Sequence, residues 1–510
     1  MSVLNSLISW WMKKRLHQVE LFMKFPMEVQ NDVFRHLLHK ARDTQWGRRY
    51  GYAQIQKIED YRERVPVSGY EELFPWIERI MKGEQQVLWP SEIKWFAKSS
   101  GTTNDRSKFI PVSEEAFEDC HFKAGKDMLA MYCSLVPDTQ IFSGKGLTIG
   151  GSHQINSLKE GTYYGDLSAL LMQNLPFWVE FIRTPELSVA LLDDWEVKVE
   201  RIARETMQQD VTNMTGVPTW FLVLFRWILN HTGKSHIGEI WPNLEVYFHG
   251  GVGFAPYRES FGQLIPSDRM NYLETYNASE GFFGFADRLN SQGEMLLLLD
   301  YGIYYEFMDP ADAGQSHPRT FTLDEIELDR PYAPILSTNA GLWRYLIGDT
   351  IRFTQKYPFR FHFAGRTKHY INIVGEEVIM ENAERALSEA SSRTGARVRD
   401  YTVAPLFLTE AQSGAHQWLV EFEIAPSDAQ DFIATIDQVL RSINSDYDAK
   451  RTGDMALRAP ELISLPPGTF YSWLKVKGKL GGQNKVPRLS NDRALADALL
   501  HARDRAPEGS

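Results

Sequence analysis

One stretch carries more chemical information than any other: Lys98-Ser99-Ser100-Gly101-Thr102-Thr103-Asn104-Asp105-Arg106-Ser107-Lys108. Small hydroxyl residues around Gly101 let backbone N–H groups approach an anion closely, and Lys108 adds positive charge. The segment therefore has the chemistry of a phosphate-binding loop, although a plain Ser/Thr-rich turn has the same composition. It differs from the common NTPase loop, because the GxxxxGKS/T pattern is missing from the sequence.

Three segments further along the chain are compatible with nucleotide binding. In Tyr276-Asn277-Ala278-Ser279-Glu280-Gly281, a hydroxyl beside a carboxylate follows a predicted strand, which suits Mg²⁺ at a nucleotide. In Gly348-Asp349, a carboxylate after a glycine can accept hydrogen bonds from ribose hydroxyls. In Gly365-Arg366-Thr367-Lys368, two cations follow a glycine turn. Taken alone, each segment also fits an ordinary cap, turn or solvated loop.

The length and composition indicate a soluble globular protein. The chain has 510 residues, of which 43% are hydrophobic and 24% are charged, enough for a large core in two to four domains. The net charge of −11 argues against a nucleic-acid-binding scaffold, so we expect no nucleic-acid partner. Two cysteines in so long a chain, Cys120 and Cys133, fit two buried thiols in a reducing compartment. We expect a cytoplasmic protein.

The N-terminus does not have the pattern of a signal peptide, because its positive charges follow the apolar run. No stretch approaches the length of a transmembrane segment. Residues 1–16 place apolar side chains on one helical face beside a basic cluster, which is compatible with membrane-surface contact. A helix that packs against the core has the same pattern, and we favour it.

Hydrophobic spacing divides the chain into parts. Residues 1–65 have a helical pattern, and short β-prone runs alternate with helices after about Leu88, as in layered α/β proteins. The last 140 residues or so have the pattern of a separate α+β unit that begins near Arg366. In that unit, residues 418–424 alternate like a half-buried strand, and Ser427 is a predicted N-cap.

In this order, the four segments resemble those of the adenylate-forming enzymes: acyl-CoA synthetases, peptide-synthetase adenylation domains and luciferases. Those proteins also carry a Gly-Gly adenine turn, which here is His249-Gly250-Gly251. Within that superfamily the chain is most similar to the auxin-responsive acyl acid–amido synthetases. Their loop reads Ser-Ser-Gly-Thr, with a lysine seven residues after the glycine, as Gly101 and Lys108 stand here.

The resemblance implies an α/β fold with two domains. Residues 1–365 would form a large multi-layer N-terminal domain of the adenylate-forming fold, and residues 366–510 a small mobile α+β C-terminal domain. ATP and Mg²⁺ would bind between them. The implied catalytic residues are Lys485, Lys108 and Glu280, with Glu280 also the metal ligand; the implied nucleotide-binding residues are Ser99, Ser100, Gly101, Thr102, Thr103, Gly250, Gly251, Tyr276, Ser279, Asp349 and Arg366.

The implied reaction has two halves. A small-molecule carboxylic acid attacks the α-phosphorus of ATP to give an acyl-adenylate and pyrophosphate. An amine, expected to be that of an amino acid, then attacks the acyl carbon to give an amide and AMP. Two alternatives stay open: a CoA ligase of the same fold, and a catalytically silent nucleotide- or lipid-binding homologue. The joint presence of Lys108, Glu280, Asp349 and Lys485 argues against a silent homologue.

The choice of the catalytic lysine depends on the C-terminal tail. Lys485 lies in the frame Gln483-Asn484-Lys485-Val486-Pro487-Arg488, which matches the amido-synthetase pattern. Lys479 is the rival, because Gly478-Lys479 is similar to the Gly-Lys of the wider superfamily. Lys450 is more distant in the sequence. We therefore predict that Lys485 is the lysine that enters the cleft during adenylation.

Overall fold

The computed structural model describes most of the chain. The described residues are 12, 14–99, 108–150, 155–159, 161–192, 194–252, 254, 257–315, 317–366, 370–409, 412–476 and 486–505. Residues 1–11, on which the membrane-surface alternative mainly depends, lie outside these ranges. Within the described part of the chain, no helix is both long and apolar enough to cross a lipid bilayer.

The N-terminal region is helical, as the apolar spacing predicts. From residue 14 onward, the structure describes five α-helices there: α1 (Leu16–Lys24), α2 (Pro26–Ala41), α3 (Gln45–Arg49), α4 (Ile58–Arg64) and α5 (Tyr70–Met81). The face of α2 that carries Val33, Leu37 and Leu38 is buried against aromatic residues of the same core. Leu16, the last residue of the segment with possible membrane contact, is also buried. These contacts hold the helices against the sheets that carry the site.

A small four-stranded sheet carries the ends of the predicted phosphate loop. Its strands are β1 (Trp95–Ser99), β2 (Lys108–Val112), β4 (Asn156–Lys159) and β5 (Thr162–Gly165), in the order β2-β1-β5-β4. Strands β1 and β2 are antiparallel, and Ser99 is paired with Lys108. The two ends of the predicted loop are therefore neighbours across a strand pair.

A large sheet forms the centre of the molecule. Its thirteen strands are β3 (Lys145–Thr148), β6 (Arg183–Thr184), β7 (Val211–Gly216), β8 (Val246–His249), β9 (Asn271–Ala278), β10 (Gly281–Phe285), β11 (Met295–Leu297), β12 (Ile303–Met308), β13 (Thr320–Phe321), β14 (Pro331–Thr338), β15 (Tyr345–Leu346), β16 (Asp349–Gln355) and β17 (Arg360–Arg366). Strands β3, β7 and β8 run parallel. Their carboxyl ends therefore meet at one edge, where ligands commonly bind in α/β proteins.

Helices cover this sheet. They are α6 (Lys123–Leu135), which continues a π-helical turn (Ala116–Phe122), α7 (Leu167–Gln173), α8 (Leu187–Ala190), α9 (Trp195–Thr206), α10 (Pro218–Thr232) and α11 (Arg258–Leu264); short 3-10 turns are Tyr52–Gln54, Phe177–Phe181, Ile237–Glu239, Pro310–Asp312 and Thr452–Asp454. Cys120 and Cys133 are both buried in this layer, and neither forms a disulfide bond. The expectation of two buried thiols is confirmed.

The C-terminal part is an α+β unit, as predicted. Its elements are β18 (Tyr370–Ile371), β19 (Val378–Ile379), α12 (Met380–Thr394), β20 (Arg397–Leu406), β21 (Ala415–Ile424), α13 (Ala429–Ile443), α14 (Ser445–Arg451), β22 (Glu461–Leu465), α15 (Thr469–Val476) and α16 (Ala494–Arg505). Helix α12 ends at Gly395, whose φ of 69° lies in the left-handed region that glycine favours. Gly395 thus ends the helix in a conformation that other residues rarely adopt.

Two local predictions in this unit are wrong. Strand β21 is buried on both faces over most of its length, because Trp418 and Val420 pack into one core while Leu419 packs into a second one with Phe470. The alternation in the sequence reflects two different cores and not one solvated face. The N-cap of α13 is Asp428, whose carboxylate accepts the N–H of Gln430; Ser427 instead donates to the Thr394 carbonyl.

The C-terminal part packs on the large sheet and its helices through a shared apolar core. Side-chain hydrogen bonds also cross this contact: Trp220 Nε1 donates to the Val374 carbonyl at 3.4 Å, and Tyr257 Oη donates to the Ile373 carbonyl at 3.2 Å. Arg226 Nη2 donates to the Thr409 carbonyl and, at 3.5 Å, to the Gln412 carbonyl. A cleft between the two parts is thereby closed along one side. A rotation of the C-terminal part would have to break these contacts.

Candidate functional site

The described residues enclose a cavity of about 950 Å³ between the sheet edge, helices α6 and α7, and the C-terminal part. Ile149, Gly216 and Gly250, which lie at or just after the carboxyl ends of β3, β7 and β8, line it. Most of the residues predicted from the sequence and described here also line it: Ser99, Lys108, Gly250, Gly251, Tyr276, Ser279, Glu280 and Asp349. Segments far apart in the sequence therefore converge on one space.

The structure describes only the two ends of the predicted phosphate loop. Ser99 and Lys108 line the cavity, whereas Ser100, Gly101, Thr102 and Thr103 lie outside the described residues. Lys108 Nζ donates to Tyr345 Oη at 3.4 Å and lies 6.0 Å from the centre of the Tyr70 ring. A half-buried ammonium is thus held at the cavity wall, where it can meet an anion.

Tyr345 links two of the predicted catalytic residues. It receives the hydrogen bond from Lys108, and its own hydroxyl donates to Glu280 Oε1 at 3.4 Å. Burial, and then the nearby Glu280 carboxylate, hold the pKa of Tyr345 well above its usual value, so the phenol stays protonated and can donate. Tyr345 was not predicted from the sequence, although it lies only four residues before Asp349.

Buried charges fix the backbone just before Tyr345. Arg344 donates from Nε to Glu306 Oε2 at 2.8 Å and from Nη1 to the Val65 carbonyl at 2.7 Å. The two charged side chains are 4% and 1% exposed. Removing one member of such a pair leaves the other charge buried without compensation, so this ion pair restrains the position of Tyr345.

The predicted ribose ligand has a defined neighbour. The hydroxyl of Tyr276 donates to Asp349 Oδ2, and Asp349 is buried at the start of β16. Across the strand pair, Asp349 is aligned with Arg366, the last residue of β17. Tyr276 and Asp349 therefore form a hydrogen-bonded pair that lines the cavity, whereas Arg366 is not among the residues that line it.

Steric constraints explain why glycine occupies both positions of the Gly250-Gly251 turn. A Cβ at Gly250 would lie 2.4 Å from the carbonyl oxygen of Thr275, and Gly251 has a φ of 82°. Both positions therefore require glycine. Both glycines line the cavity at the end of β8.

Two other titratable groups line the cavity beside these residues, the half-buried Glu274 and the buried His121. Burial raises the pKa of Glu274 to about 7, even though the nearby Arg258 lowers it. Burial lowers the pKa of His121 to about 4, and His121 Nδ1 lies 3.0 Å from Asn277 Oδ1. The imidazole is therefore neutral near pH 7. The sequence analysis missed both groups, because neither stands in a recognisable motif.

The part of the cavity next to α6 and α7 is mostly apolar. It is lined by Phe122, Met128, Leu129, Ile141, Phe142, Leu171, Met172, Leu175, Val179 and Ile182. Gly125 of α6 also faces this space, and a Cβ there would meet no atom within 4 Å. The cavity thus has both charged and apolar lining residues, a combination that suits a ligand with a charged head and an apolar body.

The remaining predictions fall outside the described residues or are described only in part. Lys485 and its rival Lys479 both lie in residues 477–485, which are not described. The Mg²⁺ prediction depends on Glu280. Among the described residues, no cluster of three or more His, Cys, Asp or Glu side chains could hold a metal ion by itself. One carboxylate fits Mg²⁺ at a nucleotide, since the phosphates and water supply the other ligands.

Family models match most of the chain. The GH3 family N-terminal domain matches residues 15–270, the central domain residues 296–366 and the C-terminal domain residues 381–494. An indole-3-acetic acid-amido synthetase of Arabidopsis thaliana, GH3.3, is 22% identical over 92% of this chain and 90% of its own length. A 4-substituted benzoates-glutamate ligase of the same plant, GH3.12, is 21% identical over 92% of this chain and 93% of its own length.

A solved structure has the same fold. The acyl acid amido synthetase AtGH3.15, in complex with 2,4-DB, superposes with a TM-score of 0.63 at 17% sequence identity, over 96% of each chain. The match spans both the sheet region and the C-terminal part. The predicted α/β fold of the adenylate-forming type is confirmed.

Proposed function

Because this chain belongs to the GH3 family, we propose that it is an ATP-dependent acyl acid–amido synthetase. The family predicted from the sequence is confirmed, and with it the class of enzyme, an amide-forming ligase. In the proposed reaction, a carboxylic acid is activated as an acyl-adenylate with release of pyrophosphate. An amino acid then takes the acyl group, and AMP is released.

One observation carries the proposal. The Lys108–Tyr345–Glu280 chain and the Tyr276–Asp349 pair lie at the same cavity, next to its apolar part. This arrangement can hold a polyanion beside an apolar acid. Carboxylate and triphosphate repel each other, so the site must supply positive charge and hydrogen-bond donors where they meet.

Each group has a proposed role. Lys108 and Ser99 contact phosphate oxygens, Asp349 accepts hydrogen bonds from the ribose hydroxyls, and Gly250-Gly251 flank the adenine. Glu280 would hold Mg²⁺, which when bound offsets the phosphate charge. Catalysis here is mainly positioning and charge stabilisation, so no nucleophilic side chain is needed.

The proposal includes the two domains predicted from the sequence, 1–365 and 366–510. Strand β17 ends at Arg366, and the next described segment is bonded to the C-terminal part, since Asn491 donates to the Tyr370 carbonyl and accepts from the Asn372 N–H. The C-terminal domain would bring Lys485 into the cleft for adenylation and move it away for amide formation. We also propose a cytoplasmic location, which two buried thiols without a disulfide bond support.

The test of this function is pyrophosphate release from ATP with a panel of carboxylic acids, each assayed with every amino acid and separately with CoA. We expect acid-dependent pyrophosphate release and an amide product with an amino acid. A thioester product and no amide would identify a CoA ligase instead. Binding of ATP without pyrophosphate release for any acid would indicate the silent homologue.

Asp349→Ala should weaken ATP binding by about 2 kcal/mol, the scale of hydrogen bonds to a charged group. The ribose hydroxyls would lose their acceptor, while the fold keeps the strand pair with Arg366. Calorimetric titration with a non-hydrolysable ATP analogue measures the change. Tyr276→Phe, which removes only the hydrogen bond to Asp349, should have a smaller effect. Impaired acid binding with unchanged ATP binding would show that the two ends of the cavity are assigned the wrong way round.

Gly125→Leu should exclude bulky acids. Glycine inside a helix is less stable than alanine by about 0.5–1 kcal/mol, yet nothing near Gly125 requires it. We infer that the missing side chain keeps acid-binding space open. The specificity constant for the bulkiest accepted acid should fall by about 10–100-fold relative to that for the smallest, the range for pocket contacts of this kind.

Gly262 of α11 provides the matched control. It also has no atom within 4 Å of a Cβ, but it does not line the cavity. Gly262→Leu should therefore leave the preference among acids unchanged. An equal shift in both variants, or no shift in Gly125→Leu, would contradict the assignment of the apolar part to the acid.

A further inference from the structure

Lys450 lines the cavity from the C-terminal side and has no role in the proposed adenylation chemistry. It lies on α14, and only 8% of the residue is exposed. Its Nζ lies 4.6 Å from the centre of the Trp220 ring and 5.3 Å from that of Trp195. The ammonium is therefore held between two indole groups at the edge of the site, where it makes cation–π contacts.

No hydrogen-bond acceptor in the described part of the chain lies within reach of Lys450 Nζ. Of the three carboxylates that act on this ammonium, two already accept other hydrogen bonds: Glu376 from the Ile373 and Val374 N–H groups, and Asp166 from Ser168. A buried ammonium without an acceptor is unfavourable, and indole faces only partly compensate for lost hydration. Burial lowers the pKa of Lys450, although Asp446, Asp166 and Glu376 raise it.

The charges around Lys450 are of both signs. Asp166, the N-cap of α7, and Asp446 of α14 line the same cavity and lie close enough to affect the Lys450 ammonium. With these carboxylates nearby, a simple anion would be repelled as well as attracted. A zwitterion avoids this conflict, because it presents a carboxylate to the lysine and an ammonium to the carboxylates.

We propose that Lys450, Asp166 and Asp446 form the binding site for the acceptor amino acid in its zwitterionic form. Lys450 binds the α-carboxylate of the acceptor, and the two aspartates face its amino group. This inference rests on the proposed function, because the acceptor amino acid supplies the amine for the second half-reaction. The amino group must lose a proton before its nitrogen forms the bond to the acyl carbon and AMP leaves. A neighbouring aspartate is a group that can accept this proton.

The site predicts selection for amines that carry a carboxylate. Lys450→Met keeps a chain of similar length against the two indoles and removes the charge. The KM for the preferred amino acid should rise by about 10–100-fold, the scale of a lost charge-assisted hydrogen bond. The KM for the decarboxylated amine of the same amino acid should stay within about threefold, because that amine has no carboxylate to lose. Lys450→Arg should recover much of the affinity for the amino acid.

Two readouts and one control variant separate this role from a merely structural one. Acid-dependent ATP–pyrophosphate exchange and capture of the adenylate by hydroxylamine should be unchanged in Lys450→Met, which also shows that the variant is folded. Lys126→Met is the matched control, since Lys126 lines the cavity from α6, and it should not change the ratio of the two KM values.

The inference is overturned if the KM for the amino acid is unchanged in Lys450→Met, or if the KM values for both amines rise equally. Loss of pyrophosphate exchange in both the Met and the Arg variants would place Lys450 in the first half-reaction and would also overturn it. Failure of the wild-type enzyme to form an amide with any amino acid would instead refute the proposed function.

Discussion

Lys485→Ala should reduce acyl-adenylate formation by on the order of 10²–10³-fold, the effect of losing one strong electrostatic contact in a closed site. A single ammonium can contact the α-phosphate and the incoming carboxylate together, and so lower their repulsion. It can do so only while the C-terminal domain is closed over the cleft. Amide formation from a pre-made acyl-adenylate should change much less, because that step would use the other domain orientation.

The two half-reactions are measured separately. ATP–pyrophosphate exchange reports adenylation, and single-turnover transfer from synthetic acyl-adenylate reports amide formation. Lys479→Ala is the matched control, since Lys479 lies six residues earlier in the same tail. A larger adenylation defect in Lys479→Ala, or equal losses in both half-reactions for Lys485→Ala, would show that Lys485 is not the adenylation lysine.

Glu280→Gln should lower the rate of adenylation by about two orders of magnitude. The change preserves the shape of the side chain and removes its charge, and thus the proposed contact with Mg²⁺ and the phosphates. The amide can still accept the hydrogen bond from Tyr345, so the wall of the site is kept. The rate of pyrophosphate exchange should also need a higher concentration of Mg²⁺ to reach half its maximum.

Tyr345→Phe is the companion variant. It retains both Lys108 and Glu280 and removes only the hydroxyl between them. Because this hydroxyl bonds to two charged groups, a loss of about 1.5–2 kcal/mol, or roughly 10–30-fold in rate, is expected. The same magnesium dependence in Glu280→Gln as in the wild type would refute the metal assignment. A larger loss of adenylation rate in Tyr345→Phe than in Glu280→Gln would show that the hydrogen bonds of Tyr345 contribute more to adenylation than the charge of Glu280 does.

Much of the site could be predicted because its residue types follow from backbone chemistry. Gly250 lies where a Cβ would collide with Thr275, and Asp349 follows a glycine at the start of a strand. Such constraints act locally, so they leave a local pattern in the sequence. The order of these local motifs along the chain then indicated the family. The models of that family match most of the chain.

Other features depend on contacts between distant residues. Tyr345 is important because Lys108 and Glu280 lie on either side of its hydroxyl, and neither is close to it in the sequence. The same holds for Lys450, whose significance comes from Trp195 and Trp220. In β21, the residues on the two faces of the strand pack into two different cores. The alternating sequence pattern alone does not distinguish this arrangement from one core and one solvated face.

An oxygen-18 experiment tests whether the amide forms through an acyl-adenylate. The preferred acid, labelled in both carboxylate oxygens, is incubated with ATP and the acceptor amino acid, and the products are analysed by mass spectrometry. We predict one labelled oxygen in AMP and one in the amide, with none in pyrophosphate, because the carboxylate oxygen that attacks the α-phosphorus leaves with AMP. Label in orthophosphate together with ADP, or an amide formed with unlabelled AMP, would contradict the account.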